Sequence, residues 1–178
     1  PDAIIRLGLD QRPYVLCVGN ANPNKNFATV LAAYAALDDP GFDLVIVGGG
    51  DPRIFGSMPA MTNHPRVHRL PRISDGALRT LMEKAAVFLM PSLFEGFGIP
   101  AIEAMALGTP VVAARAAALP EVCGEAALYV EPHDVEGMGR AMQRIIKNPE
   151  LAQKLRTAGY ERAALYSWDR SAQALSDL

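Results

Sequence analysis

The sequence predicts an α/β domain built on a Rossmann-like, doubly wound parallel sheet of about six strands. Two observations carry that expectation. Short apolar runs alternate with amphipathic stretches along the chain, and the runs are apolar almost throughout rather than at every second residue. Near-continuous apolarity marks strands covered on both faces, the condition of a parallel sheet. Alternation at this rhythm then requires helical crossovers of right-handed sense.

The elements follow in order. Tyr14-Val15-Leu16-Cys17-Val18 is rich in β-formers and stops at Gly19; Asp43-Leu44-Val45-Ile46-Val47 repeats the pattern and stops at Gly48-Gly49-Gly50. Further strands are expected at 66–69, 86–90, 110–114 and 127–130. Helices are expected at 26–37, with Phe27, Val30, Leu31 and Tyr34 on one face, and at 75–84, with Leu78, Leu81 and Met82. Residues 100–107 form a third, stopped by Gly108, and 134–147 a fourth, with Val135, Met138, Met142 and Ile145 at helical spacing. After Asn148-Pro149 come stretches at 150–164 and 168–177, the last with Ser167 as N-cap and Asp169 in its first turn.

Composition narrows the function. A chain of 178 residues with 50% hydrophobic and 20% charged residues suits one well-cored domain. Seventeen basic against nineteen acidic residues leave a net charge of −2, which argues against sequence-independent nucleic-acid binding but not against a small anionic ligand. Two cysteines, Cys17 and Cys123, are too few for a zinc cluster or a disulfide framework, so a reducing cytoplasm is the default. Cys17, inside an apolar run, reads as a small buried residue. No apolar run approaches the ~18 residues of a membrane span, and no signal peptide opens the chain. The start at Pro1-Asp2, without Met, suggests a piece of something larger.

Open parallel sheets bind ligands at the carboxyl ends of their strands. The loop after the first strand, Gly19-Asn20-Ala21-Asn22-Pro23-Asn24-Lys25-Asn26, places Lys25 at a helix mouth, where the helix dipole opposes a cation unless an anion joins it. Gly48-Gly49-Gly50-Asp51-Pro52 allows a tight turn and argues for little else. The informative loop is Pro91-Ser92-Leu93-Phe94-Glu95-Gly96-Phe97-Gly98-Ile99-Pro100-Ala101-Ile102-Glu103. Gly96-x-Gly98-x-x-Ala101 matches a dinucleotide fingerprint, with Glu121 about 20 residues beyond, so NAD stays open. Against NAD, Pro91–Glu95 separate the strand from its first glycine, and a carboxylate before the turn repels a pyrophosphate. Pro100 suits the first helical position. The amides of Gly96 to Ile99 then face a cleft beside Glu95 and Glu103, a setting for a ligand both hydroxyl-rich and anionic. A capping role for Glu103 and simple solvation of Glu95 is the plainer reading.

The run from Glu95-Gly96-Phe97-Gly98-Ile99-Pro100-Ala101-Ile102-Glu103 through Ala104-Met105-Ala106-Leu107-Gly108-Thr109-Pro110-Val111-Val112 resembles the signature of the family 4 retaining glycosyltransferases, the large group 1 family, with its Glu-x7-Glu spacing. The Gly19…Lys25 loop, Ser74-Asp75…Leu78…Leu81, Leu119-Pro120-Glu121-Val122, Tyr129-Val130-Glu131-Pro132-His133-Asp134 and Tyr166-Ser167-Trp168 continue the likeness over nearly the whole chain.

The resemblance implies the C-terminal half of a GT-B fold, in which two Rossmann-like domains face one another. Residues 1–12 would be a linker from a missing N-terminal domain, 13–164 the nucleotide-sugar-binding domain, and 165–178 a helix packing towards the missing domain. It implies a nucleotide-diphosphate sugar donor (GDP-mannose-like or UDP-hexose-like), no cofactor and no bound metal. The sugar would pass with retention to an acceptor on the missing domain, in a cytoplasmic protein free or at the inner face of a membrane. Lys25 and Glu95 would be the catalytic residues, Lys25 on the diphosphate and Glu95 on the hexose. Gly19 and Asn20 would line the donor loop, and the amides of Gly96, Phe97, Gly98 and Ile99 would hold sugar and phosphate oxygens. Glu103 would bind the ribose, and Arg69 and Leu70 would flank the base. Asn20 stands where the family often has an arginine, which puts more of the diphosphate's neutralisation on Lys25. An epimerase or phosphorylase of the same fold, or a non-catalytic relative, remains a rival reading.

Overall fold

The computed structural model describes residue 4 and residues 8–20, 22–48 and 64–167. Six parallel strands form one sheet: β1 (Tyr14–Val18), β2 (Asp43–Val47), β3 (Val67–Leu70), β4 (Val87–Met90), β5 (Val111–Ala114) and β6 (Ala127–Val130), in the order β3-β2-β1-β4-β5-β6. That order is the doubly wound one, and its direction reverses between β1 and β4. The register runs Leu16 to Val45 on one side of β1 and Leu16 to Phe88 on the other.

The helices are α1 (Phe27–Ala35), α2 (Asp75–Lys84), α3 (Ile99–Ala106), α4 (Leu119–Cys123), α5 (Val135–Lys147) and α6 (Pro149–Ala163). Side-chain alternation divides the core in two. Val15, Cys17, Leu44, Ile46, Val87 and Leu89 face α1 and α5, meeting Val30, Leu31, Tyr34, Met138 and Met142. Leu16, Val45, Phe88, Met90 and Val111 face α2 and α3, meeting Leu81, Met82, Ala101, Ala104 and Met105. Leu9, ahead of β1, is buried on this second face. Both faces of the strands are thus covered, as their apolar runs require.

Three polar tips in the core find backbone partners. Tyr14 Oη donates to the Leu81 carbonyl at 2.7 Å, Tyr34 Oη to Phe42 at 2.7 Å, and Thr109 Oγ1 to Met82 at 2.6 Å. Cys17 and Cys123 are free and buried; burial pushes the Cys17 thiol well up and the Cys123 thiol up to about 11, the latter against the pull of Arg162.

The structure adjusts several expectations. Helix 26–37 is shorter, because a 3-10 turn (Pro23–Lys25) and a left-handed Asn26 precede Phe27. Lys25 therefore sits in the turn rather than at the mouth of α1. Strand 66–69 is shifted one residue, to Val67–Leu70. Helix 100–107 begins at Ile99 behind a left-handed Gly98, which makes Pro100 the second helical residue rather than the first. The α4 turn and a following 3-10 turn (Gly124–Ala126) were not expected. The helix expected at 168–177 and all of Gly49–Pro52 lie outside the described residues. Among the described residues no helix is long and apolar enough to cross a membrane.

Candidate functional site

The loops after β1 and β4 meet where the strand order reverses, the place open α/β sheets reserve for ligands. The first leaves β1 at Gly19, whose N–H donates to the Val47 carbonyl at 3.0 Å and prolongs the β1–β2 ladder. A Cβ on Gly19 would stand 3.0 Å from Cγ and Cδ of Lys25, so the lysine stem lies directly over this glycine. Gly48, at φ +88°, closes in from β2: a Cβ there would meet the Gly19 carbonyl oxygen at 2.7 Å. The one described glycine of the triple-glycine loop thus serves close packing of the first loop. Asn22 Oδ1 caps the 3-10 turn through the Asn24 N–H at 2.9 Å, and the turn carries Lys25 back over the sheet. Asn20 is exposed; its Oδ1 lies 3.4 Å from the Asn22 amide.

The second loop runs from Pro91 to Gly98. It is tied to the first by the Leu93 N–H, which donates to the Asn24 carbonyl at 2.8 Å. Its central feature is an ion pair: Lys25 Nζ lies 2.5 Å from Glu95 Oε1, with the side chains 21% and 15% exposed. At that burial, solvent and salt screen the pair far less than they screen surface charges. The two residues expected to be catalytic are therefore in direct contact. Lys25, in the turn rather than at the mouth of α1, is neutralised by a carboxylate without a ligand.

Next comes a run of unspent donors. Among the described residues no hydrogen bond engages the amides of Gly96, Phe97, Gly98 or Ile99; Pro100 has none to offer, and the Ala101 N–H returns to the Gly98 carbonyl at 2.9 Å. A Cβ on Gly96 would meet nothing within 4 Å, so open space lies beside it. Gly98, at φ +94°, turns the chain into α3, and a Cβ there would collide with Leu119 Cδ2 at 2.7 Å. Leu119, the first residue of α4, thus backs the turn. Phe97 stacks edge-on against Tyr166, ring centroids 5.2 Å apart, while Tyr166 Oη donates to the Val122 carbonyl at 3.1 Å.

Glu103 lies one turn along α3 and faces a groove of 440 Å³ between α2 and α3, with Asp75, Gly76, Leu78 and Arg79 on the other wall. Burial in that groove, and secondarily the charge of Asp75, raise its pKa above the usual value. Glu95 turns to Lys25, whereas Glu103 turns to α2: the two carboxylates bracket the Gly96–Gly98 turn but do different things. Arg69 and Leu70 are half-buried on the edge strand β3, two strands from β1; burial lowers the Arg69 pKa, and the Leu70 carbonyl accepts from the Gly48 N–H at 3.0 Å.

One residue of the site had no role in the sequence reading beyond closing the first loop. Asn26 is 7% exposed in the left-handed region (φ 54°), and its side chain binds the Pro91 and Pro132 carbonyls. The available signal was an asparagine directly before a helical stripe, since asparagine tolerates positive φ better than most residues.

Comparison with known proteins bears on the family and the fold. The mannosyltransferase B of the Escherichia coli O-antigen chain is 30% identical over 162 residues, 88% of this chain and 42% of that protein. Sucrose-phosphate synthase from Thermosynechococcus elongatus superposes with a TM-score of 0.84 at 34% identity, over 99% of this chain and 48% of that one. HepE of Anabaena, solved with UDP and glucose, gives 0.86 over 99% of this chain and 52% of that one; at 20% identity it speaks for the fold alone. The chain spans about half the length of the relatives it matches. The model of the family described as "Glycosyl transferases group 1" matches residues 4–162, nearly the whole chain. A doubly wound sheet, a Glu-x7-Glu turn at its reversal point and that match together place the chain in the group 1 glycosyltransferase family.

Proposed function

We propose that this domain binds a nucleotide-diphosphate sugar, and that the whole protein uses it to transfer a hexose with retention to an acceptor held by a further, N-terminal domain. The observation that carries the reading is the Lys25–Glu95 pair standing beside four unspent amides at the reversal of the sheet. A diphosphate needs positive charge and N–H donors, and a helix N-terminus beside a lysine supplies both. A hexose needs acceptors for its hydroxyls, and Glu95 is one. Glu103, in the α2–α3 groove, suits the ribose, and the loop after β3 suits the base.

In this reading the bond from the sugar's anomeric carbon to the diphosphate breaks while the acceptor hydroxyl oxygen bonds to that carbon and releases its proton. The diphosphate leaves with an added negative charge. Lys25 and the amides of Gly96 to Ile99 would stabilise that charge, as fixed dipoles in an oxyanion hole do, and the step calls on no metal. The mannosyltransferase relative favours a mannose or similar hexose. Glu95 and Glu103 are not a glycosidase pair, since Glu95 is bound to a lysine and Glu103 faces another groove.

Calorimetric titration of the chain with UDP, GDP and ADP, then with their sugar conjugates, tests the reading. At least one diphosphate should bind, and Lys25→Ala should weaken it. Binding indifferent to Lys25→Ala and Glu103→Ala would point to a non-catalytic relative, and stabilisation by NAD alone to a dinucleotide site. The isolated chain should transfer no sugar.

A further inference from the structure

We infer that Asn26 is a positioning residue for the donor site: its side-chain amide locks the loops that carry Lys25 and Glu95 into the geometry a diphosphate needs. The inference rests on the donor-site reading above.

Asparagine ahead of a helix ordinarily turns its side chain onto the first free amides. Asn26 makes no such cap bond, although it is the residue before α1. Its Nδ2 instead spends both protons elsewhere, on the Pro91 carbonyl at 3.1 Å and the Pro132 carbonyl at 2.7 Å. Its Oδ1 accepts from Thr29 Oγ1 at 2.6 Å, which fixes the orientation of the amide. The backbone N–H donates to the Pro23 carbonyl at 2.9 Å, so the main chain of Asn26 closes the 3-10 turn that presents Lys25.

The partners lie in different loops. Pro91 opens the β4 loop, four residues before Glu95; Pro132 follows β6 at the far edge of the sheet. A buried side chain that gives up capping to join three strand ends is holding those ends in register. Without it the two carbonyls lose a buried donor, and the Lys25 and Glu95 loops retain mainly the Leu93–Asn24 backbone bond and the ion pair itself.

Asn26→Gly is the test, because glycine keeps the positive φ and removes only the amide. Titration uses whichever of UDP, GDP or ADP the wild type binds, and the matching monophosphate. The expected result is a loss of diphosphate affinity on the order of tenfold with a smaller loss for the monophosphate, since small misplacements at a preorganised site are costly. In a Lys25→Ala background, Asn26→Gly should lower affinity no further, because it acts through that lysine. Should Asn26→Gly fail to fold, Thr29→Val, which frees the amide to swing while sparing the backbone, decides the matter by the same readouts. A lowered melting temperature with unchanged diphosphate affinity overturns the inference and makes the tie purely structural. Equal losses with and without Lys25 overturn it too. A wild type that binds none of the three diphosphates removes the donor-site reading itself, and the inference with it.

Discussion

The Lys25–Glu95 pair makes a counter-intuitive demand on a donor site: the residue expected to hold the diphosphate is already occupied. A phosphate can reach the ammonium only by sharing or displacing Glu95. Neutralising Glu95 should therefore tighten binding of the bare nucleotide diphosphate. The size follows from the geometry. The pair is in contact at 2.5 Å with both side chains roughly four-fifths buried, so it exceeds a surface pair and falls in the range of a charge-assisted hydrogen bond, about 1.5–3 kcal/mol. A glutamine in its place still accepts from the ammonium but brings no opposite charge, and is taken to keep about half that strength. The ligand then spends about 0.7–1.5 kcal/mol less to claim the lysine, which is about 3- to 10-fold in affinity at 1.4 kcal/mol per decade.

Titration calorimetry of Glu95→Gln with UDP, GDP or ADP measures this directly, with Lys25→Ala as the opposite control. The sugar conjugate should gain less than the bare diphosphate, because it loses the carboxylate acceptor that the hexose hydroxyls would use. Binding of the diphosphate that is unchanged or weaker in a folded Glu95→Gln refutes the reasoning. Lys25 would then not be the phosphate-binding cation, or Glu95 would not compete for it.

Two further perturbations address the walls of the site. Gly98→Ala forces a Cβ into a φ of +94° and to within 2.7 Å of Leu119 Cδ2; left-handed strain alone is about 1–2 kcal/mol, so the denaturation midpoint should fall, and an unchanged midpoint would show that the turn relaxes freely. Glu103 has its pKa raised by burial and by Asp75, so the folded state favours its protonated form: the stability this confers is present below the unfolded pKa of about 4.3 and is lost as pH rises through the folded value. Glu103→Gln should therefore raise the melting temperature at neutral pH and leave it unaltered near pH 3, while lowering diphosphate affinity; equal stabilisation at both pH values would contradict it.

Much of the fold was legible because a buried parallel strand needs an apolar run and little else. The six strands lie where those runs stand, and the one that shifts, β3, is an edge strand whose His68 and Arg69 break the pattern. The stripe Phe27, Val30, Leu31, Tyr34 is buried as its spacing requires. Illegible were the pieces with no period to read. The turn Pro23–Lys25 is only three residues, and α4 is five residues behind an alanine run, held by Leu119 and Cys123 against the core. In the site, residue types and spacing marked Glu95, Glu103 and the glycines, yet the contact between Lys25 and Glu95 spans 70 positions and exists only because β1 and β4 are neighbours. The bonds of Asn26 were less accessible still, since they end on backbone carbonyls, which no side-chain pattern records.

The same contact changes what Asn20 means. An arginine there would leave a positive charge over the sheet reversal after Lys25 and Glu95 had cancelled; with Asn20 the pair leaves a net charge near zero. In the donor-site reading, the attraction for a diphosphate would then rest more heavily on what the ion pair does not consume, the amides of Gly96 to Ile99 and the dipole of α3. The pull of a dipole falls off faster with distance than that of a point charge and depends on direction, so a site that relies on dipoles depends on the accuracy of its turn. Gly98 against Leu119 and Phe97 against Tyr166 act on that accuracy, whereas the Asn26 tie acts on the placement of Lys25. In the donor-site reading, an uncharged Asn20 and a braced turn would then be two sides of one arrangement, in which geometry stands in for charge.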